Sequence, residues 1–180
     1  MGDDVIIKKA EPAWPKQSDV AKYYGAIEIG HDGEPTERWE QTFLTLLNLP
    51  YPMRLAWDKT KTIQRIRCHR AVARSLMCIL ADIKDKVYGG DIEKLRAAGM
   101  DLFGGCYNFR RMRGSNNVSM HSYGIAIDLA PDENDFGVKW KDGGKMMPAA
   151  AVDIFHEYGW TWGGLWKKPD AMHFQATQPV

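Results

Sequence analysis

The sequence predicts a single α+β domain in which a small antiparallel sheet packs against helices. Helical patterns dominate the chain up to residue 98, and short strand-like segments dominate from residue 104 onward. Segregated helices and strands are typical of α+β domains, whereas a parallel sheet requires regular alternation of the two. The length of 180 residues corresponds to one domain, and a chain of this size can bury roughly 70% of its unfolded surface.

The clearest helical pattern covers residues 62–87. Apolar side chains recur there mostly at spacings of three and four residues, and Gly89 and Gly90 follow as an end signal. Shorter patterns predict a capped helix near Ser18 and further helices at 36–47, 91–98 and 148–158, the last with Pro148 in its first turn. These segments make up the predicted helical layer.

Three short segments carry strand patterns. Residues 104–112 follow the leading glycines of G-G-C-Y-N-F-R-R-M, residues 124–130 alternate as G-I-A-I-D-L-A, and residues 171–176 (A-M-H-F-Q-A) close the series. We expect these three segments to form the sheet.

The composition excludes several classes of function. Hydrophobic residues make up 44% of the chain and charged residues 26%, and the net charge of +1 lacks the basic excess of nucleic-acid-binding proteins. No apolar stretch approaches the roughly 18 residues of a membrane span, and the N-terminus lacks the pattern of a secretory signal. The three cysteines, Cys68, Cys78 and Cys106, show no pairing pattern, which indicates a protein folded in a reducing compartment. We therefore expect neither a nucleic-acid partner nor membrane insertion.

Two separated segments carry residues suited to a catalytic zinc site. His121 and Asp128 lie in S-M-H-S-Y-G-I-A-I-D-L, and Asp170 and His173 lie in D-A-M-H-F-Q. Two imidazoles and one carboxylate match the protein ligands of a catalytic zinc ion, which keeps one position open for water. A second carboxylate, Asp170, is then left to accept a proton from that water. On these residues alone, a structural role for the histidines stays open.

The segments around these residues resemble one enzyme family. In chain order, Y-N-F-R-R-M-R-G-S, S-M-H-S-Y-G-I-A-I-D-L, G-W-T-W-G-G-L-W and D-A-M-H-F are similar to the zinc D-alanyl-D-alanine carboxypeptidase and L-alanyl-D-glutamate peptidase family, which includes phage endolysins and bacterial wall-remodelling enzymes. The resemblance covers approximately residues 50–176, and W-P-K-Q-S-D-V-A-K-Y-Y-G at 14–25 is similar to the lead-in of phage-type members. It implies a fold shared by D,D-peptidases and Hedgehog-type domains, with zinc as the cofactor.

The resemblance also implies the roles of the four residues in the two segments. The family's H-x₆-D motif falls on His121 and Asp128, which are its first two zinc ligands. Its acid-x-x-H motif falls on Asp170 as general base and on His173 as third ligand. Many members have glutamate at the base position, and aspartate occurs in the endolysin branch.

Further site residues follow from the same resemblance. The family's arginine after an aromatic strand segment falls on Arg110, which would hold the scissile carbonyl or its developing negative charge, and Arg113 is the alternative because the phase of the strand is open. Ser119 matches a serine two positions before the first histidine, where a substrate contact is implied. Trp162 and Trp166 flank two glycines, and both core packing and lining of a substrate groove are open for them.

The remaining histidines, His31, His69 and His156, fit no metal motif. We expect His31 to be exposed and the other two to be structural. Cys106 lies close to the predicted arginine strand, but the histidines and acids are already assigned, so a thiol nucleophile is disfavoured.

The resemblance implies a zinc metallopeptidase that hydrolyses peptidoglycan stem peptides. The similarity to phage-type members favours an L-alanyl-D-glutamate endopeptidase acting as an endolysin. A D-alanyl-D-alanine carboxypeptidase is the alternative within the enzyme class. A non-catalytic zinc-stabilised binding or virion structural module is the alternative from another class, and a zinc hydrolase of non-wall amides is a third. Asp170 discriminates between enzyme and module, because a module has little need of a carboxylate beside its last ligand.

The predicted organisation follows from these assignments. Residues 1–48 are expected to be an N-terminal extension packed on a catalytic domain at 49–180, and the protein is expected to be a monomer whose partner is the stem peptide. Because a signal sequence is missing from the pattern, we expect synthesis in the cytoplasm and action on the cell wall and periplasm after release.

Overall fold

Five α-helices lie in the part of the chain that the computed structural model describes, residues 14–110 and 117–179. They are α1 Val20–Tyr24, α2 Glu37–Phe43, α3 Arg70–Asp82, α4 Ile92–Ala97 and α5 Ala149–Glu157. A π-helical turn, Ile83–Val87, continues α3, and 3₁₀ turns cover Gln17–Asp19, Met120–Tyr123, Pro131–Glu133 and Gly163–Leu165. Within these ranges, each helix is too short or too polar to cross a membrane.

Six strands form one mixed sheet. They are β1 Leu44–Leu55, β2 Asp58–His69, β3 Leu102–Gly105, β4 Ala126–Leu129, β5 Thr161–Trp162 and β6 His173–Gln175, in the spatial order β2-β1-β3-β4-β6-β5. The predicted α+β class is confirmed. The expectation of an entirely antiparallel sheet is wrong, because β1 and β3 pair in parallel across the long connection that contains β2, α3 and α4.

The hydrophobic core lies between the sheet and the helices α3 and α5. Helix α3 buries Val72, Leu76, Ile79 and Leu80, whose spacing of three to four residues places them on one face. Phe155 of α5 stacks on Phe174 of β6, with ring centroids 3.7 Å apart. Because side chains alternate along a strand, this packing directs the neighbours of Phe174 to the opposite face of β6. The core contact thereby orients His173.

The prediction of a helix at 62–87 is wrong for its N-terminal third. Residues 58–69 form β2, which pairs with β1 through a two-residue turn between Leu55 and Asp58. Thr60, Thr62 and Ile63 are β-branched and favour an extended backbone. The helical spacing of the apolar residues is genuine only from Arg70 onward, where α3 begins.

Two other boundaries differ from the predictions. The helix expected at 36–47 ends at Phe43, and β1 begins at the next residue. The strand expected at 104–112 is β3 at Leu102–Gly105, and residues 111–112 lie outside the described ranges. The elements predicted near Ser18 and at 91–98, 124–130, 148–158 and 171–176 are confirmed in type, as α1, α4, β4, α5 and β6.

Residues 14–48 share the core of the remaining described chain. Trp14, Tyr24 and Trp39 are nearly fully buried, and the Tyr24 hydroxyl donates a hydrogen bond to the Ala176 carbonyl at 2.7 Å. Strand β1 runs across the predicted boundary between residues 48 and 49. The structure therefore shows no break in packing at that point.

His69 connects three elements: the end of β2, the start of α3 and the end of α1. Its Nδ1 accepts the backbone N–H of Ala71 at 3.1 Å and caps the helix, so Nε2 carries the proton and donates to the Tyr24 carbonyl at 2.9 Å. Burial lowers the pKa of His69, and the nearby charge of Arg70 lowers it further. The predicted structural role of His69 is confirmed, although its position is a helix cap and not the middle of a helix.

We predict that acid weakens the fold through His69. Its pKa in the folded protein lies below the ordinary value of 6.5, so as the pH falls the unfolded chain takes up the proton first. The free energy of unfolding contributed by this group is complete above about pH 6.5 and is lost progressively below it. His69→Ala should cost about 2 kcal/mol at neutral pH through the lost cap and hydrogen bond, and should remove this part of the pH dependence.

Urea unfolding at neutral and mildly acidic pH measures both effects. His31→Ala is the matched control, because His31 is exposed and its replacement should leave the rest of the fold unchanged. The control should follow the wild-type protein at both pH values. A pH dependence in His69→Ala as steep as in the control would contradict the assignment.

Candidate active site

Three side chains converge at the sheet to form a candidate metal centre. The Nε2 atom of His121 lies 3.2 Å from Oδ1 of Asp128 and 3.2 Å from Nδ1 of His173, and the last two atoms are 2.9 Å apart. The two histidines are buried and Asp128 is nearly so. The three predicted ligands thus present one donor atom each to a common point.

Strand pairing fixes two of the three ligands. Asp128 of β4 and His173 of β6 are directly opposite each other in the antiparallel register, where cross-strand side chains are closest. On the other side of β4, Gly104 and Gly105 of β3 lie against Asp128, and a Cβ atom at Gly104 would come within 2.9 Å of the Asp128 Cβ. A glycine is required there for β3 to support the ligand strand.

A tight turn places His121. The Ser119 hydroxyl accepts the His121 N–H at 3.3 Å and caps the 3₁₀ turn that carries the histidine. Gly124 ends the turn in the left-handed conformation, with φ +68, and a Cβ there would meet the backbone nitrogen of His69 at 2.9 Å. Ser119 is buried and has this structural role, and its implied substrate contact stays a prediction.

In each histidine, the ring nitrogen that points away from the candidate metal centre donates a hydrogen bond to a neighbouring group. The Nδ1–H of His121 donates to the Cys106 carbonyl at 2.7 Å. The Nε2–H of His173 donates to Oε1 of Gln175 at 3.0 Å, and the Gln175 amide in turn donates to the Thr177 hydroxyl at 2.7 Å. Such partners fix the tautomer and the ring orientation of metal-binding histidines. They leave Nε2 of His121 and Nδ1 of His173 as the ligand atoms.

The charge states of Asp128 and His173 depend on each other. Burial by itself would raise the pKa of Asp128, but His121 and His173, which donate hydrogen bonds to the carboxylate when their rings are doubly protonated, outweigh it and hold that pKa well below the usual carboxyl range. For His173, burial acts to lower the pKa, and the Asp128 carboxylate overcomes it and raises the pKa. Asp128 is therefore an anion, which is the form that binds a cation.

Asp170 stands beside the three ligands as a separate carboxylate. Its backbone N–H donates to the Gly163 carbonyl at 2.9 Å, and its carbonyl accepts the His173 N–H at 3.1 Å. A Cβ at Gly163 would lie 2.6 Å from the Asp170 carbonyl oxygen, so this approach depends on a glycine. Burial raises the pKa of Asp170 to about 6, and the Asp128 charge adds to the effect. One carboxylate oxygen, Oδ1, is buried and has no hydrogen-bond partner among the described residues.

Arg110 lies near enough to the centre for its charge to act on Asp170. Its positive charge opposes the rise in the Asp170 pKa, and its backbone N–H is held by the Ser122 hydroxyl at 2.8 Å. The Arg110 side chain is exposed. Arg113, the alternative, lies outside the described residues, so Arg110 as the active-site arginine remains a prediction that its electrostatic effect favours.

The tryptophans of the G-W-T-W-G-G-L-W segment differ in environment. Trp162 is 5% exposed, stacks on Phe174 and donates its Nε1–H to the Ala171 carbonyl at 2.9 Å. Its observed role is packing beneath the site, and a substrate contact stays a prediction. Trp166 is half-buried, with its ring centroid 5.4 Å from that of His173. It therefore covers one side of the third ligand.

The three ligands fit a zinc ion by donor type and by spacing. Ligand atoms at 2.0–2.1 Å around a tetrahedral ion lie roughly 3.3 Å apart, and the observed separations of 2.9–3.2 Å are close to that spacing. The donors are imidazole nitrogen and carboxylate oxygen, which zinc accepts. The buried Oδ1 atom of Asp170 has no hydrogen-bond partner among the described residues, which fits a site where a further polar group, such as water, would bind.

The fold and this centre define the class of protein: an α+β domain with the ligand set of a zinc hydrolase. Residues 113–176, slightly more than a third of the chain, match the family model described as D-alanyl-D-alanine carboxypeptidase. The matched region holds all three ligands and Asp170, so the family resemblance is confirmed there and indicates a zinc-dependent peptidase that acts on peptidoglycan. No curated protein and no solved structure matches the chain.

Two contributors to the site were not predicted from the sequence. Gln175 follows His173 by two residues, and side chains two apart on a strand share a face. This spacing would have identified Gln175 as a partner of the ligand. The Cys106 carbonyl carries no comparable signal, because a backbone group can be any residue's and its contact with His121 arises only in the folded chain.

We predict that Gln175 tunes zinc affinity through His173. Gln175→Leu removes the acceptor for Nε2–H and should weaken zinc binding 10- to 100-fold, the usual effect of losing such a partner. Gln175→Glu keeps an acceptor and should retain wild-type affinity or exceed it. Competition with a chromogenic chelator measures the zinc dissociation constant directly.

Gln64→Leu is the control for this series, because Gln64 is an exposed residue of β2. It should bind zinc as the wild-type protein does. Equal zinc affinity in Gln175→Leu and Gln64→Leu would show that the Gln175 contact does not support the ligand.

Proposed function

We propose that this protein is a zinc endopeptidase that cleaves the L-alanyl-D-glutamate bond of peptidoglycan stem peptides, acting as a phage-type endolysin. The observation that carries the catalytic part of the proposal is Asp170. It is a largely buried carboxylate with an unpartnered oxygen, placed three residues before the third ligand. A site that only held a structural metal would not need this group.

The ligand residues would hold the metal in a fixed orientation. His121, Asp128 and His173 would bind zinc, which when bound lowers the pKa of water and polarises a carbonyl oxygen. The two imidazoles keep their orientation through Cys106 and Gln175. Three ligands held in this way leave the remaining coordination space for water and substrate.

Asp170 would move the proton in this reaction. With a pKa of about 6 it is mostly ionised at neutral pH and accepts a proton from the attacking water. The same group, once protonated, returns that proton to the nitrogen of the leaving amine. A general base with a pKa close to the working pH is suited to both transfers.

Arg110 would stabilise the negative charge that develops on the scissile carbonyl oxygen. Its charge already reaches Asp170, and its backbone is anchored to Ser122 at the turn that carries His121. A guanidinium donates several hydrogen bonds and stays charged at all working pH values. Its exposed side chain is free to turn toward a bound peptide.

The identity of the bond that is cut is the more specific part of the proposal. The phage-like lead-in at 14–25 supports the endopeptidase. The description of the matching family model favours cleavage of D-alanyl-D-alanine, which makes that carboxypeptidase the second candidate. Both reactions use the same ligands and the same base, so the two candidates differ only in how the substrate is held.

We predict that Asp170→Asn keeps zinc and loses hydrolysis. The amide preserves the size of the side chain but cannot accept the proton, so kcat should fall by 10²- to 10⁴-fold. Zinc content by mass spectrometry of the native protein should stay at one ion per chain. Turbidity loss of purified peptidoglycan gives the rate.

Asp153→Asn is the matched control, because Asp153 is exposed on α5. It should lyse peptidoglycan at the wild-type rate. Wild-type lysis by Asp170→Asn would remove the general-base role and leave the zinc-stabilised module as the better account.

We predict that digestion of peptidoglycan exposes the L-alanine carboxyl and the D-glutamate amine. Mass spectrometry of the soluble products identifies the bond, because the endopeptidase releases peptides beginning with D-glutamate whereas the carboxypeptidase releases free D-alanine. A parallel digest with a chelator should yield neither product. Free D-alanine without D-glutamate termini would select the second candidate.

A further inference from the structure

A cleft of about 540 Å³ lies between strand β2 and the segment 103–108. Its volume falls within the usual range of small-ligand sites. The walls combine cationic, aromatic and apolar side chains with bare glycine backbone, among them Trp57, Arg65, Arg67, Phe103, Gly104 and Gly105. We refer to it as the β2 cleft.

The floor of the β2 cleft is the segment that supports the metal ligands. Gly104 and Gly105 lie against Asp128, and the Cys106 carbonyl accepts the hydrogen bond from His121. A Cβ at Gly105 would meet nothing within 4 Å, so the bare backbone at this position allows a ligand to approach the floor closely. A peptide in the cleft would therefore lie next to the candidate active site.

The β2 cleft carries a positive charge that the described residues do not neutralise. Arg67 is paired with Glu40 at 2.8 Å and lies over the Tyr107 ring. Arg65, two residues earlier on the same face of β2, is exposed and has no side-chain partner among the described residues. A free guanidinium beside a fixed one favours a carboxylate, which it can bind with two parallel hydrogen bonds.

An exposed tryptophan stands at the end of the same cleft. Trp57 occupies the turn between β1 and β2 and is 67% exposed. Its ring rests beside Phe103, with centroids 6.2 Å apart, so the indole is supported from the protein side and open on the other. Large exposed aromatic side chains at a cleft are typical anchors for the apolar part of a ligand.

We propose that the β2 cleft binds an anionic part of the stem peptide, with Arg65 pairing with a free carboxylate and Trp57 covering the adjoining aliphatic chain. The inference rests on the proposed function and names the feature of the substrate that is recognised. In a stem peptide linked through the glutamate side chain, the α-carboxylate of that residue is free and lies beside the bond to be cut. Arg65 and Trp57 would thus be specificity residues.

Two synthetic stem peptides test this assignment, one with the glutamate α-carboxylate free and one with it amidated. Calorimetry with zinc-loaded Asp170→Asn protein gives the dissociation constants without turnover. The free carboxylate should bind about fivefold more tightly, a preference that decreases with added salt and that Arg65→Gln abolishes. Trp57→Ala should weaken binding of both peptides about tenfold, and Trp57→Phe should restore most of it.

Arg74→Gln is the control for charge, because Arg74 is exposed on α3 away from the cleft. It should leave both dissociation constants unchanged. Equal binding of the two peptides, or equal losses for Arg65→Gln with both, would overturn the inference. Cleavage by the wild-type protein is scored separately: Arg65-dependent binding without cleavage refutes the proposed function alone, and cleavage without Arg65-dependent binding refutes the cleft alone.

Discussion

The site depends on one cross-strand pair, Asp128 opposite His173. Their ligand atoms lie 2.9 Å apart because β4 and β6 pair in a register that places the two side chains directly opposite. A one-residue slip of β6 would turn His173 to the other face of the sheet, away from Asp128. Phe174 resists such a slip, because its ring is buried against Phe155 of α5. Core packing thereby fixes the metal centre.

Holding an anion in this buried place has a cost that the neighbouring groups offset. Burial opposes ionisation of Asp128, and the two neighbouring imidazoles, which donate to its carboxylate when doubly protonated, reverse that tendency. Asp170 has no such partners, and burial raises its pKa to about 6. The same environment thus gives two carboxylates different properties. One is a permanent anion suited to bind a cation, and the other can exchange a proton near neutral pH.

The ligand set could be predicted because it depends on local motifs, H-x₆-D and D-x-x-H, together with a resemblance that preserves their order. The strand at 58–69 could not, because its apolar residues fit a helix as well as a strand and pairing with β1 decides between them. The support of His121 by the Cys106 carbonyl could not be predicted either, since the histidine side chain bonds to a backbone group 15 residues away that any residue type could supply. Local chemistry was therefore predictable, and long-range pairing was not.

Strand β2, part of which was predicted to be helical, also forms one wall of the β2 cleft. As a helix, residues 62–69 would have spread Arg65 and Arg67 around different faces, whereas in β2 they lie side by side above the glycine floor. The two glycines serve different functions: Gly104 lets β3 approach Asp128, whereas a Cβ at Gly105 would meet nothing within 4 Å, which leaves room for a ligand. Ligand support and substrate access thus depend on the same backbone segment. A side chain at Gly104 would collide with Asp128 and so disturb the ligand strand that forms the other side of this segment.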